Sequence, residues 1–184
     1  MKFLVTGGAG FIGSHLIERL LETENNVICI DDLSSGYSNN LPKNPLLEII
    51  IDKIQNIDLN HFDKNVDGIF HLAAQTSVPY SMDKYYESSS NNLLSMLKVW
   101  EIARTNTTPI IYASSSAVYG NLPSGDDRVI NYDIVSPYAQ DKLTMEDYAS
   151  LCYDIYKIPS YGMRFFNVYG PRQDPTNPYS GVIS

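Results

Sequence analysis

Tyr138 and Lys142 stand four residues apart, a spacing that puts a phenol and an ammonium on one face of a helix. An ammonium beside a phenol favours the phenolate and lowers its pKa from about 10. A phenol tuned in this way can serve as a general base near neutral pH. Upstream, Ser114-Ser115-Ser116 closes an apolar run, and a hydroxyl from this triple can share the phenol's proton and orient a substrate hydroxyl. A Tyr-x-x-x-Lys pair alone is usually a solvated helix face, so its weight depends on what accompanies it.

Thr6-Gly7-Gly8-Ala9-Gly10-Phe11-Ile12-Gly13 joins an apolar run to a helical pattern. Glycines permit a tight turn and close approach of backbone to a pyrophosphate, while the helix start supplies amides and a favourable dipole. The glycine spacing is three and three, unlike the older G-x-G-x-x-G fingerprint, and close helix–strand packing also wants glycine. The next strand ends in Asp31-Asp32, with Asp31 18 residues after Gly13 (31 minus 13). A carboxylate there suits the adenosine ribose hydroxyls of a dinucleotide and repels a 2′-phosphate. A turn-capping aspartate is the alternative; position and context favour the ribose role and predict NAD over NADP. Asp52, after a third apolar run, suits either an adenine amino contact or a solvated turn. Arg172 has the fork to meet a phosphate, although a loop arginine is more often solvated.

Elements that can hold these groups alternate along the chain. Apolar runs predict strands at Lys2–Thr6, Asn26–Ile30, Leu47–Ile51, Gly68–Leu72, Pro109–Ala113 and Ser160–Phe165. Helical patterns cover Phe11–Glu22, Asp83–Arg104 and Pro137–Tyr156, the last started by Ser136 with Pro137 in its first turn. Leu93, Leu97, Trp100 and Ala103 or Arg104 step along one face of the second helix; Tyr148, Leu151, Cys152 and Ile155 are assigned to the buried face of the third. The alternation predicts an α/β fold, a Rossmann-like doubly wound parallel sheet covered on both faces. Residues 1–165 are expected to form the dinucleotide-binding domain. Residues 166–184, with Pro171, Pro175 and Pro178, read as a loop opening a substrate-binding region, and the apolar ending Val182-Ile183 suggests that this region is truncated.

Composition narrows the rest. The 184 residues are 43% hydrophobic and carry a net charge of -8, which argues against a nucleic-acid surface. No apolar run is long enough to span a membrane, and no signal-peptide layout precedes the first strand. Cys29 and Cys152 read as buried free thiols of a reducing compartment, so the cytoplasm is expected. His15, His61 and His71 lack metal-ligand spacing, and no metal is expected.

The chain resembles the N-terminal part of the extended short-chain dehydrogenase/reductase family, the NAD-dependent epimerases and dehydratases of nucleotide sugars. The resemblance rests on TGGAGFIG at 6–13, DDLSSG at 31–36, HLAAQTSV at 71–78, YASSSAVYG at 112–120, SPYAQDK at 136–142 and RFFNVYGPRQDP at 164–175. It implies Ser115, four residues before Tyr119, as the catalytic hydroxyl with Tyr138 and Lys142, and Ser116 as a sugar contact. It implies cofactor contacts from Gly7, Gly10, Phe11, Ile12, Gly13, Asp31, Asp32, Ser35, Gly36 and Asp52. Leu72, Ala73, Ala74, Thr76, Asn91 and Phe165 join them, and Lys142 would hold the nicotinamide ribose. Asn167 is expected at the diphosphate of the substrate. Dehydratases of this family carry an Asp-Glu pair after the catalytic hydroxyl and glucuronate decarboxylases a Glu; Ser116 and Ala117 stand there instead. The resemblance therefore implies 4-epimerisation of a UDP-sugar, glucose/galactose or the N-acetylated pair, by the branch that GPRQDPTNPYSGVIS resembles. The alternatives are a non-catalytic NAD-binding module and another dehydratase or reductase of nucleotide sugars. A homodimer is also expected, through the Asp83–Arg104 and Pro137–Tyr156 helices, with Met96, Trp100 and Met145 as apolar residues left for the partner.

Overall fold

A computed structural model describes residues 1–58, 66–121 and 133–174. His61, Pro175, Pro178 and the Val182-Ile183 ending lie outside the described residues. Six strands form one sheet: β1 (Lys2–Thr6), β2 (Asn26–Asp31), β3 (Leu47–Ile51), β4 (Gly68–His71), β5 (Ile110–Ser115) and β6 (Ser160–Phe165). All neighbours are parallel, in the order β3-β2-β1-β4-β5-β6. The order reverses between β1 and β4, and such a switch point opens a crevice at the carboxyl ends of the strands. The Rossmann-like, doubly wound fold is as expected.

The faces follow from strand alternation. Leu4, Ile28, Ile69 and Ile110 point to the side covered by α3 (Tyr85–Arg104) and α4 (Pro137–Tyr156), where Met96, Val99, Trp100, Met145 and Cys152 complete the larger core. Val5, Val27 and Cys29 point to the other side, where Ile17, Leu20 and Leu21 of α1 (Phe11–Glu22) pack on them. Cover on that second side is partial among the described residues. Tyr161 and Met163 of β6, and Ile49 and Ile51 of β3, are exposed. Cys29 and Cys152 are free and buried.

Several expectations need correction. A short helix, α2 (Val78–Asp83), precedes α3 and is separated from it at Lys84; Ser77 caps it by accepting from Tyr80 N. Strand β5 runs two residues past Ala113, because Ser114 and Ser115 pair with Arg164 and Phe165 of β6. The buried face of α4 is Tyr138, Asp141, Lys142, Met145, Ala149 and Cys152, whereas Tyr148, Leu151 and Ile155 are exposed. On α3, Leu97 and Arg104 are exposed, and Met96, Trp100 and Met145, expected at a partner, lie inside the core.

Candidate active site

The turn after β1 begins with Gly7 at φ 71°. A Cβ there would stand 2.6 Å from the Ala73 amide nitrogen, and one on Gly13 2.2 Å from the Gly7 carbonyl. The turn is thus a cradle of bare backbone, open where α1 begins, and no acidic side chain occupies the first turn of that helix. Such an end suits a phosphate-bearing ligand. Beside it, the Asp31 carboxylate accepts from Ala9 N and from Leu33 N, each at 2.9 Å. Burial pushes the Asp31 carboxyl up, opposed by those two amide bonds. The amides fix the carboxylate's orientation at the crevice wall. Asp32 is turned to Ser34, whose amide and hydroxyl both donate to its Oδ1. Asp52 Oδ1 accepts from Lys53 N and Asn56 Nδ2, each at 2.7 Å.

Tyr138 and Lys142 occupy the first turns of α4. The Tyr138 amide donates to Ser81 Oγ at 3.2 Å, and that hydroxyl donates to Val78 O at 2.7 Å; α2 therefore seats the start of α4. Lys142 Nζ donates to Ala113 O at 2.8 Å and lies 5.8 Å from the Tyr138 ring centroid. Alternation along β5 separates the serines. Ser114 points to the core side and donates to Glu146 Oε1 at 2.5 Å, where Arg164 makes a two-pronged pair with the same carboxylate. Ser115 points into the crevice, accepts from Ala117 N at 3.1 Å and hydrogen-bonds the Tyr138 phenol. Its own proton is free to go to the phenolate.

The electrostatics differ from the expectation of a lowered phenol. Burial pushes the Tyr138 phenol up, more than the Ser115 bond pulls it down, and Asp141 raises it further. Burial also pushes the Lys142 ammonium down to about 8. In this dry site, loss of solvation is the largest cause of both shifts.

One crevice of about 410 Å³ brings these groups together, lined by the glycine turn with Phe11 and Ile12, by Asp31, Asp32, Ser35 and Asp52, and by Leu72, Ala73, Ala74, Thr76 and Asn91. Ser115, Tyr138, Lys142, Phe165, Asn167 and Arg172 complete its wall. Two expected contacts are not in this lining. Gly36 lies against the backbone of Ala9, where a Cβ would come within 2.8 Å. Ser116 starts the 3₁₀ turn Ser116–Tyr119 beyond the strand. Arg172 is engaged by Glu18 of α1 through Nη2, while its Nη1 has no partner among the described residues.

Sequence reasoning overlooked a second set of residues that hold the site in place. Asn92, fully buried, accepts from Gln75 N at 2.8 Å and donates to Asp141 Oδ2 at 3.0 Å. This ties the 72–77 loop to α3 and α4. Thr6 Oγ1 accepts from Ala73 N at 3.3 Å and shares a hydrogen bond with His71 Nδ1 at 2.8 Å. The doublet Asn91-Asn92 was the available signal: one amide lines the crevice and its neighbour, about a hundred degrees round the helix, faces inward.

Comparison with known proteins gives this architecture a context. Residues 3–184 match the NAD dependent epimerase/dehydratase family. A UDP-glucose 4-epimerase of Mycolicibacterium smegmatis is 37% identical over 100% of the chain and 61% of its own length. A UDP-N-acetyl-alpha-D-glucosaminuronate decarboxylase of Bacillus cytotoxicus is 36% identical over 99% of the chain and 59% of its own. Among solved structures, the UDP-N-acetylglucosamine 4-epimerase of Methanobrevibacter ruminantium in complex with UDP-N-acetylmuramic acid superposes with a TM-score of 0.91 and 39% identity, over 98% of this chain and 59% of that one. The chain thus spans about 60% of the length of these relatives.

Proposed function

The chain belongs to the NAD-dependent epimerase/dehydratase family, and from that premise we propose that the protein inverts C4 of a UDP-sugar, of the glucose/galactose pair or its N-acetylated counterpart. The observation that carries this reading is the Ser115–Tyr138–Lys142 constellation, with no acid or base at Ser116 and Ala117 after the catalytic hydroxyl. Relatives include a decarboxylase, and a reaction of that kind asks for a further acid in the place these two residues occupy.

In this reading the bare glycine turn receives the pyrophosphate of NAD and Asp31 its adenosine ribose, with Lys142 at the nicotinamide ribose. Bound NAD supplies the hydride acceptor and donor and is regenerated in each cycle. Tyr138 takes the proton from O4 of the sugar as C4 is oxidised, and returns it after the 4-keto sugar has turned over. Ser115, polarised by the Ala117 amide, holds that proton's path and orients O4. A phenol raised by burial is a poor base on its own; the positive charge of an oxidised nicotinamide, when bound beside it, would lower it. Asn167 is assigned to the diphosphate of the substrate. Ser116 is assigned as a sugar contact, although it lies outside the crevice lining. Two copies of the chain are assigned to pair through the α3 and α4 faces.

The test is Tyr138→Phe, which keeps the ring that packs in the site and removes the proton acceptor. Epimerisation of UDP-galactose or UDP-N-acetylgalactosamine should fall by about a hundredfold or more, with NAD still bound. Near-parental turnover would assign the proton to another group. Net build-up of reduced nicotinamide during turnover would favour a simple dehydrogenase.

A further inference from the structure

Residues 166–174 leave β6 and turn back over the crevice to reach α1, and side chains from two other elements hold them there. His15 Nε2 donates to Pro171 O at 2.9 Å. Arg172 forms a partly exposed ion pair with Glu18. The Tyr37 hydroxyl, in the loop after β2, donates to Asp174 Oδ2 at 3.0 Å. Phe11, His15 and Glu18 recur at steps of four and three, so they form one stripe along α1. That stripe starts at the very helix end where the phosphate cradle opens. A Cβ on Gly170 would stand 3.4 Å from the Phe11 ring, so the returning backbone passes at van der Waals distance over it. The ring itself packs edge-on to His15 at 5.9 Å.

The segment is shaped for this path. Gln173 N donates to Gly170 O at 3.2 Å, and Arg172 holds a left-handed φ of 68°. A non-glycine residue keeps that conformation only where surrounding contacts impose it. Arg172, Gln173 and Asp174 line the same crevice as Gly10, Phe11 and Asp31. The glycine turn is one wall and the returning segment faces it.

We propose that residues 166–174 are a strap that retains the dinucleotide, fastened by His15, Glu18 and Tyr37, and that opening of these fastenings sets the rate at which the cofactor leaves. The proposal rests on the reading of the crevice as an NAD site and adds residues with no part in the chemistry at C4. Glu18, His15 and Tyr37 act through the strap, so they are positioning residues.

The experiment measures NAD release directly. Protein loaded with NAD is mixed with excess ethenoadenine NAD, and its fluorescence reports displacement, with the melting temperature of the cofactor-free protein recorded alongside. Glu18→Gln is expected to speed release by roughly tenfold, as for loss of a charge-assisted bond. His15→Phe and Tyr37→Phe, which keep the rings and remove single hydrogen bonds, should speed it by about threefold each. The triple variant should be the fastest. Tyr37→Phe loses one oxygen atom and keeps the fold testable if another variant is unstable. NAD binding with parental release rates in every variant would overturn the strap and leave the cofactor site standing. Failure of the parent protein to bind NAD would overturn both.

Discussion

At the residue scale, the site is governed by burial more than by pair attraction. Lys142 is 2% exposed, and its ammonium is pushed down from 10.5 to about 8, by burial first, with Asp141 pulling the other way. The folded pKa lies below the unfolded one, so between about 8 and 10.5 the unfolded chain binds more protons and stability rises with pH. Below pH 8 the lysine is charged in both states and the whole cost is present, roughly 3 kcal/mol for a shift of this size. Lys142→Met should therefore stabilise the cofactor-free protein at pH 7, by about 1–2 kcal/mol once the lost bond to Ala113 is set against the gain. The advantage should shrink between pH 8 and 10.5. Urea denaturation at pH 7 and pH 10 measures both quantities, and a variant less stable than the parent at pH 7 would refute the argument. Asp31 supports a second prediction. Its carboxylate, aimed by Ala9 and Leu33, should favour NAD over NADP, and Asp31→Ala should reduce that preference by roughly tenfold or more, in line with a charged hydrogen bond. Calorimetric titration with both cofactors checks it; equal affinities in the parent would reject the ribose assignment.

At the element scale, strands and helices were legible because parallel strands buried on a sheet read as apolar runs and because Ser136-Pro137 marks a helix start. The β5 end was misplaced because Ser114 and Ser115 are polar, and their strand conformation comes from pairing with β6, 50 residues onward (Ser114 to Arg164, Ser115 to Phe165). The buried face of α4 was misread, except at Cys152, for a related reason. Its buried side carries Tyr138, Asp141 and Lys142, polar groups kept inward by the site, so the stripe that looks like core in the sequence is the outer one. The Glu146–Arg164 pair was invisible, since nothing local links residues on α4 and β6. The outer stripes make a prediction: Leu151 and Ile155 on α4 are 49% and 59% exposed, and Leu94 and Leu97 on α3 are 52% and 43% exposed. Two-fold pairing would bury such stripes. Leu97→Glu with Leu151→Glu should shift the protein to a monomer in light scattering, while a parent already monomeric at high concentration would count against the pairing.

At the scale of the whole molecule, stability and cofactor site share one buried histidine. His71 closes β4, is hydrogen-bonded to the Thr6 hydroxyl, and packs edge-on against Trp100 with ring centroids 6.5 Å apart. Burial, assisted by the charge of Lys142, lowers its pKa from 6.5 to about 3. The folded protein thus holds His71 neutral while the unfolded chain protonates it below pH 6.5. Between about 3 and 6.5 the unfolded state binds the extra proton, so stability falls as pH falls through that window. One proton corresponds to about 1.4 kcal/mol per pH unit at full effect. From pH 6.5 to 5, above the ordinary carboxylate range, the loss from His71 should approach about 1–2 kcal/mol. His71→Gln offers no titrating ring and should flatten this slope, though it can cost stability at pH 7 through imperfect packing. The comparison is therefore between slopes, read from urea denaturation at several pH values. Parallel slopes for parent and variant would mean that another group senses the acid. The consequence reaches the crevice because the Thr6 hydroxyl bonded to His71 also accepts from Ala73 N, and Ala73 lines the crevice proposed for NAD. Protonation of His71 would make Nδ1 a donor in either tautomer and set a buried charge against that hydroxyl, so NAD affinity should weaken over the same pH window in the parent and much less in His71→Gln.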